Sequence, residues 1–136
     1  MDRLTLEARL DNLDEVLSFI DERLEKAGCP VKTQMQLDVA VEEIYVNIAH
    51  YAYTPGSGMA EIGIDISGDP LQAEIEFIDS GVEFDPLKKP DPDVTLSAAE
   101  RQIGGLGIYM VKKSMDHVSY KREDGKNIFV IKKILQ

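Results

Sequence analysis

Only one of the chain's 136 residues is a cysteine, Cys29, so no internal disulfide and no cysteine-built zinc site can form within it. A lone thiol of this kind, near the end of an apolar-periodic segment, reads as a small structural residue and fits a reducing cytoplasm. Basic residues are also in short supply, 15 against 25 acidic ones, for a formal charge of -10. Such a surface repels nucleic-acid phosphates and anionic lipid, so neither nucleic acid nor membrane is expected as a partner. There is no apolar run of membrane-spanning length, and no charged-then-apolar leader follows Met1, so a soluble cytoplasmic protein is expected. Internal repeats and low-complexity tracts are absent too. What remains is an ordinary globular composition, 43% hydrophobic, in a length that holds one core, and residues 1–136 are read as a single domain. Any phosphate-bearing ligand must be held by local devices: backbone amides, a helix N-terminus, a metal or a few placed cations.

The stretch Leu37 to Tyr53 organises the pattern. Leu37, Val41, Ile44, Ile48 and Tyr51 recur at helical spacing and form a stripe that must be buried. Glu43 and Asn47, four residues apart, stack on a neighbouring face, while Glu42 lies to the side. A carboxylate and an amide placed there can hold a hydrated Mg2+ ion and polarise a hydroxyl, or both can be simply solvated. Ahead of this helix, Arg3 to Leu10 alternates as a strand, with Leu4, Leu6, Ala8 and Leu10 on one side. Asp11 or Asn12 then offers a cap to a helix carrying Leu13, Val16, Leu17, Ile20 and Leu24, stopped by Gly28 and Pro30. The second helix starts near Val31 to Thr33 and ends at the turn cluster Thr54 to Gly58.

Two alternating runs, Ala60 to Ile66 and Leu71 to Ile78, flank Gly68-Asp69-Pro70 and read as an antiparallel hairpin. Asp79-Ser80-Gly81 follows, then a loop long enough to act as a lid, with a helical turn expected around Leu96 to Arg101. Gly104-Gly105-Leu106-Gly107 opens a third helix, where missing Cβ atoms let an anion approach free amides. A second hairpin, Val118 to Lys121 and Ile128 to Leu135, turns at Asp124-Gly125. The order of elements predicts an α+β two-layer sandwich: a mostly antiparallel five-stranded sheet with three helices on one face.

Singly these motifs are weak, but their order is informative. A helix bearing Glu43 and Asn47, a strand ending in Asp79-x-Gly81, a lid at roughly 84–104, and Gly105-x-Gly107 opening a helix resemble the ATP-binding pattern of the GHKL (Bergerat-fold) ATPase and kinase superfamily. The form Glu43-Ile44-Tyr45-Val46-Asn47 with His50, Asp85-Pro86 after the second motif, and Gly104 to Ile108 look most like its anti-sigma-factor serine/threonine kinases. The resemblance spans roughly Leu4 to Leu135. It implies ATP and Mg2+ as cofactors, Asn47 as the Mg2+ ligand and Glu43 as general base. It also implies adenine held at Asp79 and Gly81, in a loop that includes Phe84, and phosphates at Gly104, Gly105, Leu106 and Gly107.

His50 shares Asn47's side of the helix and is read either as lining the pocket or as a packed residue. Arg101 either reaches the terminal phosphate or is solvated. Lys112 and Lys113 are placed on the third helix's outer face. Two departures stand out: Glu83 occupies a position where many relatives have a second glycine, and Ile128 to Ile134 lacks the Ser or Thr that often supports the adenine-binding aspartate.

The leading functional expectation is a kinase that phosphorylates a small antagonist (anti-anti-sigma) protein on serine and has a sigma factor or other regulator as its second partner. A homodimer through the sheet or its first strand accompanies that resemblance. The competing readings are a nucleotide-gated binding module without kinase activity, a detached histidine-kinase catalytic domain, and a plain α+β domain. An upstream dimerisation and phosphoacceptor helix is missing from the pattern, which counts against the histidine kinase.

Overall fold

The spacing of Val16, Ile20 and Leu24 on α1 (Leu13–Lys26) turns all three into the core with no solvent exposure. Each such burial stabilises the fold by about 1.5–3 kcal/mol. Asp14 and Glu15 in its first turn and Arg23 and Lys26 in its last complement the helix dipole. Asn12 stands at the cap position, but its amide donates to Glu7 O at 2.8 Å and makes no capping bond to the helix. Gly28, at φ +74°, ends the helix in the left-handed conformation that suits glycine. In this computed structural model, residues 1–88 and 105–135 are described. The turn expected at Leu96 to Arg101 and most of the lid lie outside them.

The long central helix begins as expected. α2 (Val31–Asn47) buries Leu37, Val41 and Ile44, joined by Ala40 and the ring of Tyr45. The Tyr45 hydroxyl donates to Arg9 O at 2.7 Å and accepts from Arg9 N at 3.1 Å, tying α2 to the chain that leaves the first strand. Beyond Asn47 the helix widens into a π turn, Ile48–Ala52. That turn corrects the expected stripe. More residues per turn rotate Tyr51 outward, to 57% exposure, and bring Ala52 inward instead.

Five strands form one sheet in the order β1 (Asp2–Glu7), β2 (Met59–Ser67), β3 (Gln72–Asp79), β5 (Lys126–Ile134) and β4 (His117–Glu123), every neighbouring pair antiparallel. Cross-strand pairs Ile62–Phe77, Ile64–Ile75, Phe77–Phe129 and Ile75–Ile131 point one face at the three helices. The other face carries Arg3 between Glu61 and Glu76, and Lys132 beside Glu74. This is the α+β sandwich expected from the element order. β1 stops at Glu7, because Leu10 enters a 3-10 turn and is 48% exposed, so it does not continue the alternation. Asp124 and Gly125, at φ +52° and +75°, supply the two left-handed residues that a type I′ hairpin needs. No helix among the described residues is long and apolar enough to cross a membrane.

Between α1 and α2, Asp21 and Asp38 each bury an Oδ1 that has no hydrogen-bond partner. Burial first, then the neighbouring Asp21 carboxyl and the charge of Glu25, push Asp38 up to about 8. An acid whose native pKa is raised binds more protons folded than unfolded, so stability falls as pH rises from the ordinary carboxylate range toward 8. Asp38→Asn should remove that penalty. Thermal melting is expected to show a gain that is small near pH 4 and grows to a few degrees by pH 8; a gain equal at both pH values would contradict the raised pKa of Asp38.

Candidate functional site

α2 brings Glu43 and Asn47 to the side of the domain where α3 (Gly105–Ser114) packs. A Cβ added at Gly107 would collide with Glu43 Oε2. The carboxylate therefore lies directly against the first turn of α3, where main-chain amides lack helical acceptors and the helix dipole favours negative charge. With glycine at 107 the carboxylate approaches this closely; a side chain there would make its flexible end shift. The two motifs, more than sixty positions apart in the chain, are in contact.

Beside them opens a cleft of about 500 Å³, counting the part open to solvent. Asn47, Ile48 and Ile108 line its helical side, Phe77, Asp79 and Phe129 its sheet side, and Val82, Phe84 and Pro86 the loop that follows β3. The walls are mainly apolar, with Asp79, Asn47 and Asn127 as polar groups, the character expected of a small-molecule site.

Asp79 is buried at the end of β3, paired across the ladder with Asn127. Its Oδ1 accepts from Gly81 N and from Asn127 Nδ2, both at 2.9 Å. Both partners sit on Oδ1, and Oδ2 has none among the described residues. Gly81 presses on the π turn: a Cβ there would overlap Ala52 O, and the next amide, Val82 N, donates to that same oxygen at 2.9 Å. The π turn after Asn47 is thus the seat of the Asp79-to-Gly81 loop. Tyr53 holds it from behind, its hydroxyl donating to Met59 O at 2.6 Å and accepting from Ser80 N at 2.7 Å.

Asn127 is the residue that sequence reasoning missed. It stands one residue before Ile128, opposite Asp79, and is neither Ser nor Thr. Asn127 Nδ2 donates to Asp79 Oδ1 and to Val82 O, while its Oδ1 accepts from Phe84 N, Tyr120 Oη and Arg122 Nη1. Arg122 Nη1 also donates to Gly81 O at 2.9 Å. Burial pushes the Tyr120 phenol above its ordinary range, so it stays a hydrogen-bond donor at neutral pH. An asparagine paired with Asp79 across two strands was a legible signal only once the strand register was known.

The expected residues divide as follows. Glu43, Asn47, Asp79, Gly81, Phe84 and Gly107 gather around the cleft or against its edge. Gly105 opens α3 and Leu106 follows it. His50 is exposed on the π turn, its ring edge-on to Tyr51, and does not line the cleft. Arg101 and Gly104 lie outside the described residues. No cluster of three or more His, Cys, Asp or Glu able to hold a metal by themselves occurs among the described residues. The donor set suits a cation held jointly by Asn47 and the oxygens of a ligand, as Mg2+ is with nucleotide phosphates.

The chain matches the sequence profile of the histidine kinase-like ATPase domain over residues 6–133. It is 25% identical over 126 residues to the serine/threonine-protein kinase BtrW of Bordetella bronchiseptica, covering 93% of this chain and 88% of that protein. It is 26% identical over 113 residues to the serine-protein kinase RsbW of Listeria monocytogenes, covering 80% and 71%. In fold it is similar to the RsbU and RsbW domains of Rv1364c from Mycobacterium tuberculosis, with a TM-score of 0.69 at 15% identity over 99% of this chain and 33% of that one. The SiaB-SiaC complex of Pseudomonas aeruginosa gives a TM-score of 0.60 at 16% identity, over 96% and 88%.

The two glycines face different neighbours, which separates the outcomes of substituting them. Gly81→Ala drives a Cβ into main-chain Ala52 O and is expected to cost about 1–3 kcal/mol in chemical denaturation. Gly107→Ala meets only the mobile end of Glu43 and is expected to stay within about 1 kcal/mol of wild type, since alanine also favours the helix. Equal losses for both would contradict the packing described.

Proposed function

The chain belongs to the histidine kinase-like ATPase domain family, and on that footing we propose that it is an ATP-dependent protein-serine/threonine kinase, an anti-sigma regulatory factor that phosphorylates a small antagonist protein on serine. The observation that carries this reading is the meeting of Glu43 with Gly107 at the edge of a cleft lined by Asn47 and Asp79. The curated relatives BtrW and RsbW are named serine kinases, which supports the same class of reaction.

Each residue has a task that its surroundings suit. Asp79, with Oδ1 saturated and Oδ2 left over, accepts a hydrogen bond from the exocyclic amine of adenine, and the apolar walls Phe77, Ile108 and Phe129 take the ring. Asn47, which lines the cleft, would hold Mg2+ through its amide oxygen. The glycines at 105 and 107 expose first-turn amides of α3 to the same phosphates. When bound, Mg2+-ATP supplies the transferable phosphoryl group and the cation that neutralises its developing charge. Glu43, one helical turn before Asn47, orients the acceptor serine hydroxyl and takes its proton as general base. The field of amides, dipole and metal is local, so the charge of -10 does not oppose binding.

The acceptor is a small antagonist protein, and a sigma factor or another regulatory target is the second partner. The SiaB-SiaC complex is an assembly of a fold neighbour with a second protein, which agrees with a role in partner exchange.

Calorimetry with ATP in the presence and absence of Mg2+ tests the site. Asn47→Ala is expected to weaken binding at least tenfold and to remove its dependence on Mg2+. Glu43→Ala should bind Mg2+-ATP within about threefold of wild type yet lose on the order of 100-fold or more in phosphate transfer to the antagonist, the usual contribution of a general base. Undiminished transfer by Glu43→Ala would overturn the assigned chemistry. Transfer absent from wild type, with binding intact, would leave a nucleotide-gated binding module.

A further inference from the structure

Asn127 is the most heavily bonded side chain at the cleft, and none of the expected roles includes it. Both of its amide hydrogens are used, one on Asp79 Oδ1 at 2.9 Å and one on Val82 O at 2.8 Å. Three donors converge on its Oδ1: Phe84 N at 3.3 Å, Tyr120 Oη, and Arg122 Nη1 at 3.2 Å. An amide's two ends are told apart only by their partners. Here donors surround one end and acceptors the other, so a flip would set the NH2 against three donors and the oxygen against a carboxylate and a carbonyl. The orientation has one solution, and in it the NH2 faces Asp79.

That arrangement has a consequence for Asp79. Asn127 and Gly81 N together occupy Oδ1 and fix the plane of the carboxylate. Without the Asn127 donor, the carboxylate could rotate about its χ2, a broad and soft torsion, and Oδ2 would lose its single direction. Asn127 reaches further, because Val82 O and Phe84 N belong to the loop that walls the cleft, and Arg122 spans from Asn127 to Gly81 O. One amide therefore sets both the carboxylate and the loop beside it.

We propose that Asn127 is a positioning residue for base selection: by locking Asp79 it makes the cleft distinguish a purine bearing a 6-amino group from one that lacks it. This rests on the reading of the cleft as a nucleotide site. A 6-oxo purine presents an acceptor to the locked carboxylate and is rejected, and a purine with hydrogen at position 6 forfeits the bond. The asparagine ties the aspartate by a direct bond across the strand pair.

The test compares two ligands, Mg2+-ATP and the Mg2+ complex of purine riboside triphosphate, which lacks only the exocyclic amine. Calorimetry gives a ratio of dissociation constants for wild type, Asp79→Ala, Asn127→Ala and Asn127→Leu, with the melting temperature of each. Wild type is expected to prefer ATP by about 10- to 100-fold, the value of a hydrogen bond to a charged group. Asp79→Ala should abolish the preference. Asn127→Ala and Asn127→Leu should each reduce it to less than about threefold, over and above any loss through the loop that both ligands share. The two variants remove the same donor with opposite changes of volume, so either one that folds decides the matter. A merely structural Asn127 would weaken both ligands equally and keep the ratio, which overturns the inference and leaves the nucleotide site standing. A wild-type ratio near one, or one that survives Asp79→Ala, overturns the nucleotide reading at Asp79 and the inference with it.

Discussion

Two close approaches of α2 and its π turn to glycine main chain hold the site together. At one, Glu43 lies against Gly107; at the other, Ala52 O receives Val82 N and abuts Gly81. Both are made by one continuous stretch of helix, and the one at Gly81, against main chain, needs the missing Cβ. Because α2 is anchored by fully buried Leu37, Val41 and Tyr45, its position is set by the core and not by the loops it touches. The glycine segments are placed by the helix, and the cleft is the space left between them.

On the proposed reading, this arrangement is how an acidic molecule offers a place to an anion. The charges that make up the net of -10 are spread over solvated faces, and several are paired, as Arg3 is with Glu61 and Glu76. Exposed charges of this kind are screened within about a Debye length. The first turn of α3 acts at contact distance and in a partly apolar cleft, where a few oriented amides outweigh distant carboxylates. Glu43 lies against that turn. On the proposed reading a ligand with phosphates would meet the same field, and Asn47, which lines the cleft, would add a neutral oxygen and no further negative charge.

The π turn shows how a local departure from regular geometry serves the site. An α-helix continued through Tyr51 would have kept that ring on the buried stripe and moved Ala52 O away from Gly81. Widening the helix by one turn exposes Tyr51, buries Ala52 and aims a carbonyl at the Asp79 loop. Such turns occur mostly singly and often near functional sites. The buried Asp21 and Asp38 pair between α1 and α2 is a second departure, in which two acids share one desolvated place remote from the cleft.

Much of this was legible in the order of the residues. Apolar spacing of 3.6 and 2 placed all five strands and the three helices, because burial of a stripe or a face is a local property of sequence. The motifs around Glu43, Asp79 and Gly105 were legible for the same reason, as turn and helix-start chemistry is written in a few adjacent residues. Tyr51 and Leu10 were misread because a change of helical pitch and an early strand end are decided by neighbours far along the chain. Asn127 was missed because its partners, Asp79, Val82, Phe84 and Tyr120, come from two other strands and a loop. What the sequence alone determined is the set of elements and the residues able to do chemistry. What the tertiary structure decided is which of them meet, since strand register and the close approach of α2 to two glycines follow from packing the whole core at once.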